Sequence, residues 1–304
     1  MRLSRVGTLT CSLLWTTAAA LPATEVAVLK SADVAPWRPT LDAMHRVAAA
    51  HALNEYDLRN DRAQAERVIG ELRGKAAILV AMGPLAAQAA RELAPETPLV
   101  YCMIQDPGKA GLLGVPNVSG VAFTLPVRNQ LAAFRFVNPR AVRIGVIYSE
   151  ANTASLVEEA QKSATVVRLR LVTRPVASER EVPAALRQLL NGPQAVDALW
   201  FPPDPILLGE ESRRYILAET LKAGKPVYSF SPALVAEGAL VSNGPDPGSI
   251  GEEVGELVNR IAAGERGKSE LLIPRAELVI NQKIAERLRI EIPADALRAA
   301  GRVF

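Results

Sequence analysis

An α/β chain of two doubly wound parallel-sheet lobes is what this sequence predicts, on three observations. From residue 25 onward, short β-rich runs alternate with longer stretches of helical period. Several of those runs are apolar without a break, as strands covered by helices on both faces are; Ala76-Ala77-Ile78-Leu79-Val80-Ala81-Met82 is the clearest. The alternation then restarts at residue 142, so two similar halves follow one another.

In the first half, residues 25–30 (EVAVLK) read as a strand and 38–51 as a helix. A short strand near Tyr56 precedes a helix opening at Asp61, where Gln64 completes a capping-box pattern. After the strand at 76–82, Gly83-Pro84 opens a helix that runs to Leu93, since proline suits a first helical turn. Residues 98–103 form another buried strand and 118–123 the last of the half. A helix over 126–137 follows, stopped by Asn138-Pro139. In the second half, strands at 142–148, 166–173, 195–201, 226–230 and 239–242 alternate with helices at 152–165, 178–190, 206–222 and 249–263. Ser178 with Glu181 and Ser249 with Glu252 supply capping boxes, and a final strand at 277–280 leads into a helix over 282–288.

Composition bounds the function. With 304 residues, 49% hydrophobic and 22% charged, each half can bury a core, and a disordered chain is excluded. The formal charge of +3 comes without any run of Lys or Arg, so no nucleic acid is expected as a partner. Residues 1–23 read as a cleaved secretory leader: Arg2 and Arg5 lead, and a mostly apolar stretch broken by Thr10, Ser12, Thr16 and Thr17 follows. That stretch is too interrupted for a membrane span, and Ala18-Ala19-Ala20 supplies the small residues of a cleavage site. A periplasmic location follows, and loss of Arg2 and Arg5 takes the charge from +3 to +1. Cys11 leaves too, so Cys102 has no partner for a disulfide. Within Leu99-Val100-Tyr101-Cys102-Met103 it reads as a buried, inert thiol.

Catalytic sets do not assemble. His45 and His51 are the only imidazoles, and six residues apart on one helix they point about 240° from each other, without the spacing of a helical metal pair. Neither lies at a strand end, as a Ser-His-Asp site would need. No G-x-S-x-G elbow occurs, and no G-x-G-x-x-G follows a strand. Gly264-Glu265-Arg266-Gly267-Lys268-Ser269 has two residues between its glycines where a phosphate loop has four, and reads as a solvated turn. No enzyme activity, metal or cofactor is expected.

In open parallel sheets, ligands bind beyond the carboxyl ends of strands, where helix starts point their amides. That rule selects the loops at 31–37, 83–84, 105–107, 149–153, 203–204, 229–231 and 243–246. They carry the candidate ligand-binding residues Ser31, Trp37, Gly83, Asp106, Ser149, Asn152, Thr153, Asp204, Ser229, Phe230 and Asp246.

An ordered series of motifs then carries a resemblance. Ile144-Gly145-Val146-Ile147-Tyr148 is followed by Glu150-Ala151-Asn152-Thr153, and Asp197-Ala198-Leu199-Trp200-Phe201-Pro202-Pro203-Asp204 makes a strand exit. Lys225-Pro226-Val227-Tyr228-Ser229 and Val235-Ala236-Glu237-Gly238-Ala239-Leu240 come next, with Asp106-Pro107 before them and Asn281-Gln282-Lys283-Ile284-Ala285 after. Together they resemble the ABC-transporter substrate-binding proteins related to the tryptophan-binding TrpX type, built on the type I periplasmic-binding-protein fold.

The resemblance implies two lobes joined by a hinge of three crossings, the first from residues 24–122 plus 240–278 and the second from 123–239 plus 279–304. It implies a monomer that closes on a small, often amino-acid, ligand and delivers it to the membrane permease of an ABC importer. In that frame Asn152, with Thr153 and the first helical amides, reads either as the holder of a carboxylate or as a plain N-cap. Asp204 reads either as the partner of an α-ammonium or as a capping or solvated carboxylate. Trp37 and Phe230 either cover the ligand or pack at the surface or the hinge. Three departures matter: Gly83-Pro84-Leu85 stands where T-P-A is common, Pro203-Asp204-Pro205 where P-T-D-N is, and Ser229-Phe230-Ser231 where an S-D loop is. Fewer polar groups suggest a more apolar ligand, or an exported sensor or adaptor of the same fold acting on a membrane receptor such as a receptor kinase.

Overall fold

A computed structural model of the protein describes residues 23–304, so the expected leader with Arg2, Arg5 and Cys11 lies outside the described residues apart from Ala23. In chain order the strands are β1 (Glu25–Lys30), β2 (Ala52–Asp57), β3 (Ile78–Met82), β4 (Leu99–Cys102), β5 (Val118–Val121), β6 (Arg143–Tyr148) and β7 (Arg170–Pro175). They continue as β8 (Ala198–Phe201), β9 (Val227–Ser229), β10 (Val241–Pro245), β11 (Leu271–Leu272), β12 (Ala276–Ile280) and β13 (Arg302–Val303). Two sheets form: six strands in the order β11-β5-β4-β3-β1-β2, and seven in the order β13-β12-β10-β9-β8-β6-β7.

Helices cover both faces of each sheet, and the strand sequences show why. Every residue of β3 is buried, with Leu79 and Ala81 turned into one apolar cluster and Ile78, Val80 and Met82 into the opposite one. Successive strand side chains alternate between faces, so an unbroken apolar run needs cover on both. In the first lobe α1 (Arg38–Val47) lies on one face, and α2 (Arg62–Leu72) and α3 (Pro84–Leu93) on the other. In the second lobe α4 (Val127–Val137) and α5 (Glu150–Val166) share one face. The other face carries α6 (Val182–Asn191), α7 (Pro205–Leu208), α8 (Glu210–Lys222) and α9 (Pro232–Glu237). The chain then sends α10 (Pro247–Ala262) back to the first lobe beside α1, where Gly251 and Gly255 let the helices approach: an added methyl would strike the Thr40 carbonyl and the Val47 side chain. Finally α11 (Gln282–Arg287) and α12 (Ala294–Ala299) close the second lobe. Among the described residues no helix is long and apolar enough to cross a membrane.

Several boundaries differ from expectation. Only α10, β11 and the turn between them return to the first lobe, because β10 pairs with β9 and β12 in the second sheet; the expected return over 240–278 is thus too wide at both ends. The crossings fall at 122–126, at 246 and at 273–275. β12 runs antiparallel to β10, against the expectation of all-parallel sheets. It enters the second lobe from the crossing, at the end where the parallel strands exit, so it must run the opposite way. The single helix expected over 206–222 is two helices, with a break at Gly209 where an added methyl would meet the Glu179 carboxylate. α5 runs through Val166, and Arg168, at φ 59°, turns the chain into β7.

Capping also differs. Asp61 caps α2 through the Ala63 amide, while Gln64 accepts from Arg67 instead of reaching back. Asp246 caps α10, and the Ser249 hydroxyl accepts from the Arg275 amide. The turn 264–269 is exposed but tied down. Arg260 pairs with Glu265 and, at 2.6 Å, with Glu270; Lys268 reaches Glu265 at 2.8 Å; and the Gly267 amide donates to Asn117 Oδ1 at 2.7 Å. Arg260 and Lys268 together pull the Glu265 carboxyl down to about 2.

Candidate ligand-binding cleft

All strands of the first sheet, and those of the second other than β12 and β13, end toward a cavity of about 540 Å3 whose walls come from both lobes and from the first crossing. Gln105, Asp106, Pro107 and Lys109 line it from the first lobe, and Phe123 to Val127 from the crossing. The second lobe adds Gln130 of α4, Asn152, Thr153, Leu156 and Glu159 of α5, Phe230, and Asn243 of β10. A compartment of about 490 Å3 shares Ile104, Gln105, Asp106, Lys109 and Phe123 with it and adds Trp37, Pro84, Gln88 and Met103. A third, of about 570 Å3, takes in Ser149 to Asn152, Pro175 to Ala177, Glu181 and Ile206.

Six of the eleven expected residues line these spaces: Trp37, Asp106, Ser149, Asn152, Thr153 and Phe230. Asp106 is exposed, accepts the Lys109 amide at 2.8 Å and faces the Lys109 ammonium at 3.6 Å. Trp37 is half-buried against the first-lobe core, and Gly83 makes room for it; a methyl on Gly83 would come within 2.8 Å of both the Trp37 ring and the Ser31 hydroxyl. Gly83 also sits at φ 90°, a backbone that only glycine adopts without strain.

The other five, Ser31, Gly83, Asp204, Ser229 and Asp246, line none of the three compartments and are engaged inside the fold. Ser31 accepts the Ala86 amide at 3.0 Å and so caps α3. Asp204 is fully buried. Its Oδ2 accepts the Ser149 amide (2.7 Å), the Ser149 hydroxyl (2.9 Å) and the Thr153 hydroxyl (2.6 Å), and its Oδ1 accepts the Ile206 amide (2.9 Å). Of the two readings open for Asp204, the geometry is that of a cap, because four donors already occupy the carboxylate. Ser229 is buried and closes a turn on Ser231. Asp246 caps α10 at the second crossing, where its own amide donates to the Arg275 carbonyl.

Several lining residues went unforeseen. Glu159 follows Asn152 and Leu156 along one face of α5, a spacing legible from the helical period. Gln130, 6% exposed, carried no such signal: its Nε2 donates to the Leu125 carbonyl at 3.1 Å, and its Oε1 has no partner among the described residues. Met103 holds φ 60° at the exit of β4. Next to it, Cys102 is buried and its thiol is pushed up to about 12 by desolvation, which leaves it protonated and inert. Among the described residues no three His, Cys, Asp or Glu side chains gather into a group that could hold a metal.

Known proteins match this architecture. Residues 49–304 match the family described as ABC transporter substrate binding protein. A tyrosine-binding protein of Clostridioides difficile (strain R20291) is 28% identical over 235 residues, which is 73% of this chain and 66%, just under two thirds, of that protein's length. The ABC domain in complex with L-Trp from Streptococcus pneumonia aligns with TM-score 0.67 at 22% identity, over 93% of this chain and 100% of that one. The ligand-free, open structure of a substrate binding protein with adhesive properties from Clostridium difficile aligns with TM-score 0.82 at 20% identity, over 92% and 99%. With the two sheets, the cavity between them and a family match that covers most of its length, the chain belongs to the ABC transporter substrate-binding protein family.

Proposed function

We propose that the protein is exported, captures a small amino-acid-like ligand between its lobes, and closes about the three crossings to deliver it to the permease of an ABC importer. The cavity of about 540 Å3 carries this reading, because both lobes and the first crossing supply its walls. A ligand seated there touches both lobes and gains contacts on closure, which is what shifts a population toward a closed form. The aromatic residues Trp37, Phe123 and Phe230 around the compartments of about 540 and 490 Å3 suit an aromatic side chain. The relatives described as binding tyrosine and L-Trp favour the same chemistry. The leader-like residues 1–23 support export. The activity is binding without turnover. A thermal-shift screen of amino acids on the purified protein tests it: an aromatic amino acid should raise the melting temperature with dose. No shift across the panel, with nothing carried through purification, would remove this reading.

A second reading, an exported sensor or adaptor for a membrane receptor, is favoured by one observation. Ser31, Asp204, Ser229 and Asp246 spend their polar groups on internal bonds. A pull-down from membranes that recovers only permease components would sink it, whereas recovery of a receptor kinase would promote it.

A further inference from the structure

We infer that the outer end of the second lobe, remote from the cavity, docks on an anionic phospholipid surface and seats a headgroup phosphate between Arg140, Lys225 and Arg289. This does not depend on what the cavity binds. Without Arg2 and Arg5 the chain is nearly neutral, but its lobes are not. The first lobe, 23–122 plus 247–272, has three more acidic than basic residues, and the second, 123–246 plus 273–304, has four more basic than acidic. Strands β6 to β10 end toward the cavity, so they begin at the opposite end of the second lobe. Much of the excess gathers there. Arg140 precedes β6, Arg168 and Arg170 open β7, and Lys225 precedes β9. Arg289, in the turn after α11, joins Arg140 and Lys225 in the wall of one pocket.

That pocket, of about 210 Å3, has room for a phosphate group. Its two carboxylates are already engaged. Asp197 accepts the Val142 and Arg143 amides and the Arg143 guanidinium, and Glu291 takes Arg140 at 3.0 Å. Lys225 is half-buried in the wall, yet neither it nor Arg289 forms an ion pair or side-chain hydrogen bond among the described residues. The same holds for Arg168 and Arg170. A cation near a helix end can be spent on its carbonyls, as Arg135 is on those of Pro139 and Ala141; these four are not. At the matching end of the first lobe the cations are paired off, Arg260 with Glu265 and Glu270, and Lys268 with Glu265. Apolar side chains complete the surface. Phe136 and Val142, each 43% exposed, flank the lining segment 138–141, and Val166, 66% exposed, closes α5 just before Arg168. The Arg170 amide donates to the Val142 carbonyl at 2.8 Å, which joins the two stretches into one face. Free cations among exposed apolar side chains suit a bilayer interface, where charge meets phosphate and apolar groups pass beneath it. An acidic protein surface would use the cations and leave Phe136 and Val166 without a role.

Co-sedimentation of the purified protein with vesicles tests this, using phosphatidylcholine alone and phosphatidylcholine mixed with an equal part of phosphatidylglycerol. The protein should bind the mixed vesicles, ignore the neutral ones, and lose most of its binding as salt rises from about 50 to about 500 mM. Lys225→Gln with Arg289→Gln, and separately Arg168→Gln with Arg170→Gln, should each weaken binding about tenfold or more. The second pair is exposed and should leave the melting temperature in place. Phe136→Ser should weaken vesicle binding about fivefold. Equal binding to both vesicle types, or full affinity in either paired variant, overturns the inference. Glycerol phosphate and poly-glutamate separate the other sources of negative charge. Should either bind as tightly as the mixed vesicles, with Phe136→Ser unchanged, the surface takes a soluble anion or an acidic protein and the lipid assignment is overturned. None of these outcomes bears on ligand capture in the cavity, which the thermal-shift screen reads separately.

Discussion

Asp204 and Asp246 stand in the same local sequence, an aspartate before the proline that opens a helix, yet the second-lobe interior and the hinge use them differently. Asp204 has no exposed surface and gathers four donors, three of them from a segment 51 or 55 residues away. Asp246 is half-buried, accepts the amides of Gly248 and Ser249, and has the Arg275 guanidinium 3.8 Å away. Asp106, before Pro107, is exposed at the cavity wall and accepts only from Lys109. The dipeptide sets a turn and offers an acceptor. What the carboxylate then does depends on the donors that the fold brings to it.

The contrast breaks first at Asp204. Asp204→Ala removes the acceptor of the buried Ser149 amide and Ser149 hydroxyl, while the Thr153 hydroxyl keeps the Ser149 carbonyl; at about 1–3 kcal/mol for each unsatisfied group, urea unfolding should show a loss of about 2–4 kcal/mol. A loss below about 1 kcal/mol would mean that the carboxylate is not the hub of the second lobe. Asp204→Asn should remain costly, since one of its groups would then point a donor at other donors. Alkylation of Cys102 sharpens the test: its thiol is inert in the folded first lobe, so fast labelling of Asp204→Ala under native conditions would show that the damage spreads across the hinge.

At Asp246 the expected effect is smaller. Asp246→Ala should cost about 1 kcal/mol, as loss of an N-cap does, and Asp246→Asn close to nothing because asparagine caps equally well. Equal losses for Asp204→Asn and Asp246→Asn would erase the distinction between the two regions. A surface carboxylate extends the scale. The Glu265 carboxyl, ordinarily near 4.5, is held at about 2 by Arg260 and Lys268, so its stabilising share is full above the ordinary value and is lost as pH falls through about 2. The stability gap between the protein and Glu265→Gln should therefore shrink on acidification, and a gap that widened would reverse the assignment. Smallest of all, Asp106→Ala should move stability by no more than about 0.5 kcal/mol, because its side chain is exposed.

Much of the architecture was legible because strand and helix signals are local. The unbroken apolar run at β3, the cap at Asp61 and the Gly83-Pro84 helix start each follow from a few neighbouring residues. Reading failed where pairing is remote or elements are short. Nothing in Glu277 to Ile280 says that the strand runs antiparallel, and two residues in β11 or β13 carry no period. The cleft divided the same way. A strand-exit rule put Asp106, Asn152, Thr153 and Phe230 at the cavity between the lobes. It could not show that Ser31, Asp204 and Asp246 would turn inward as caps, nor that Gln130 would be buried at the wall with an unpaired oxygen.

By itself, then, the sequence determined two α/β halves, the positions of most strands and helix starts, and the kind of residue at each strand exit. Those properties are set by side-chain periodicity and by caps that act within one turn. Only the tertiary structure decided which sheet β10 and β12 join, and that Asp204 serves Ser149 and Thr153 in place of a ligand. A hydrogen bond depends on distance in space, and a carboxylate does not show in advance which donors, some 50 residues away, the fold will bring within 3 Å of it.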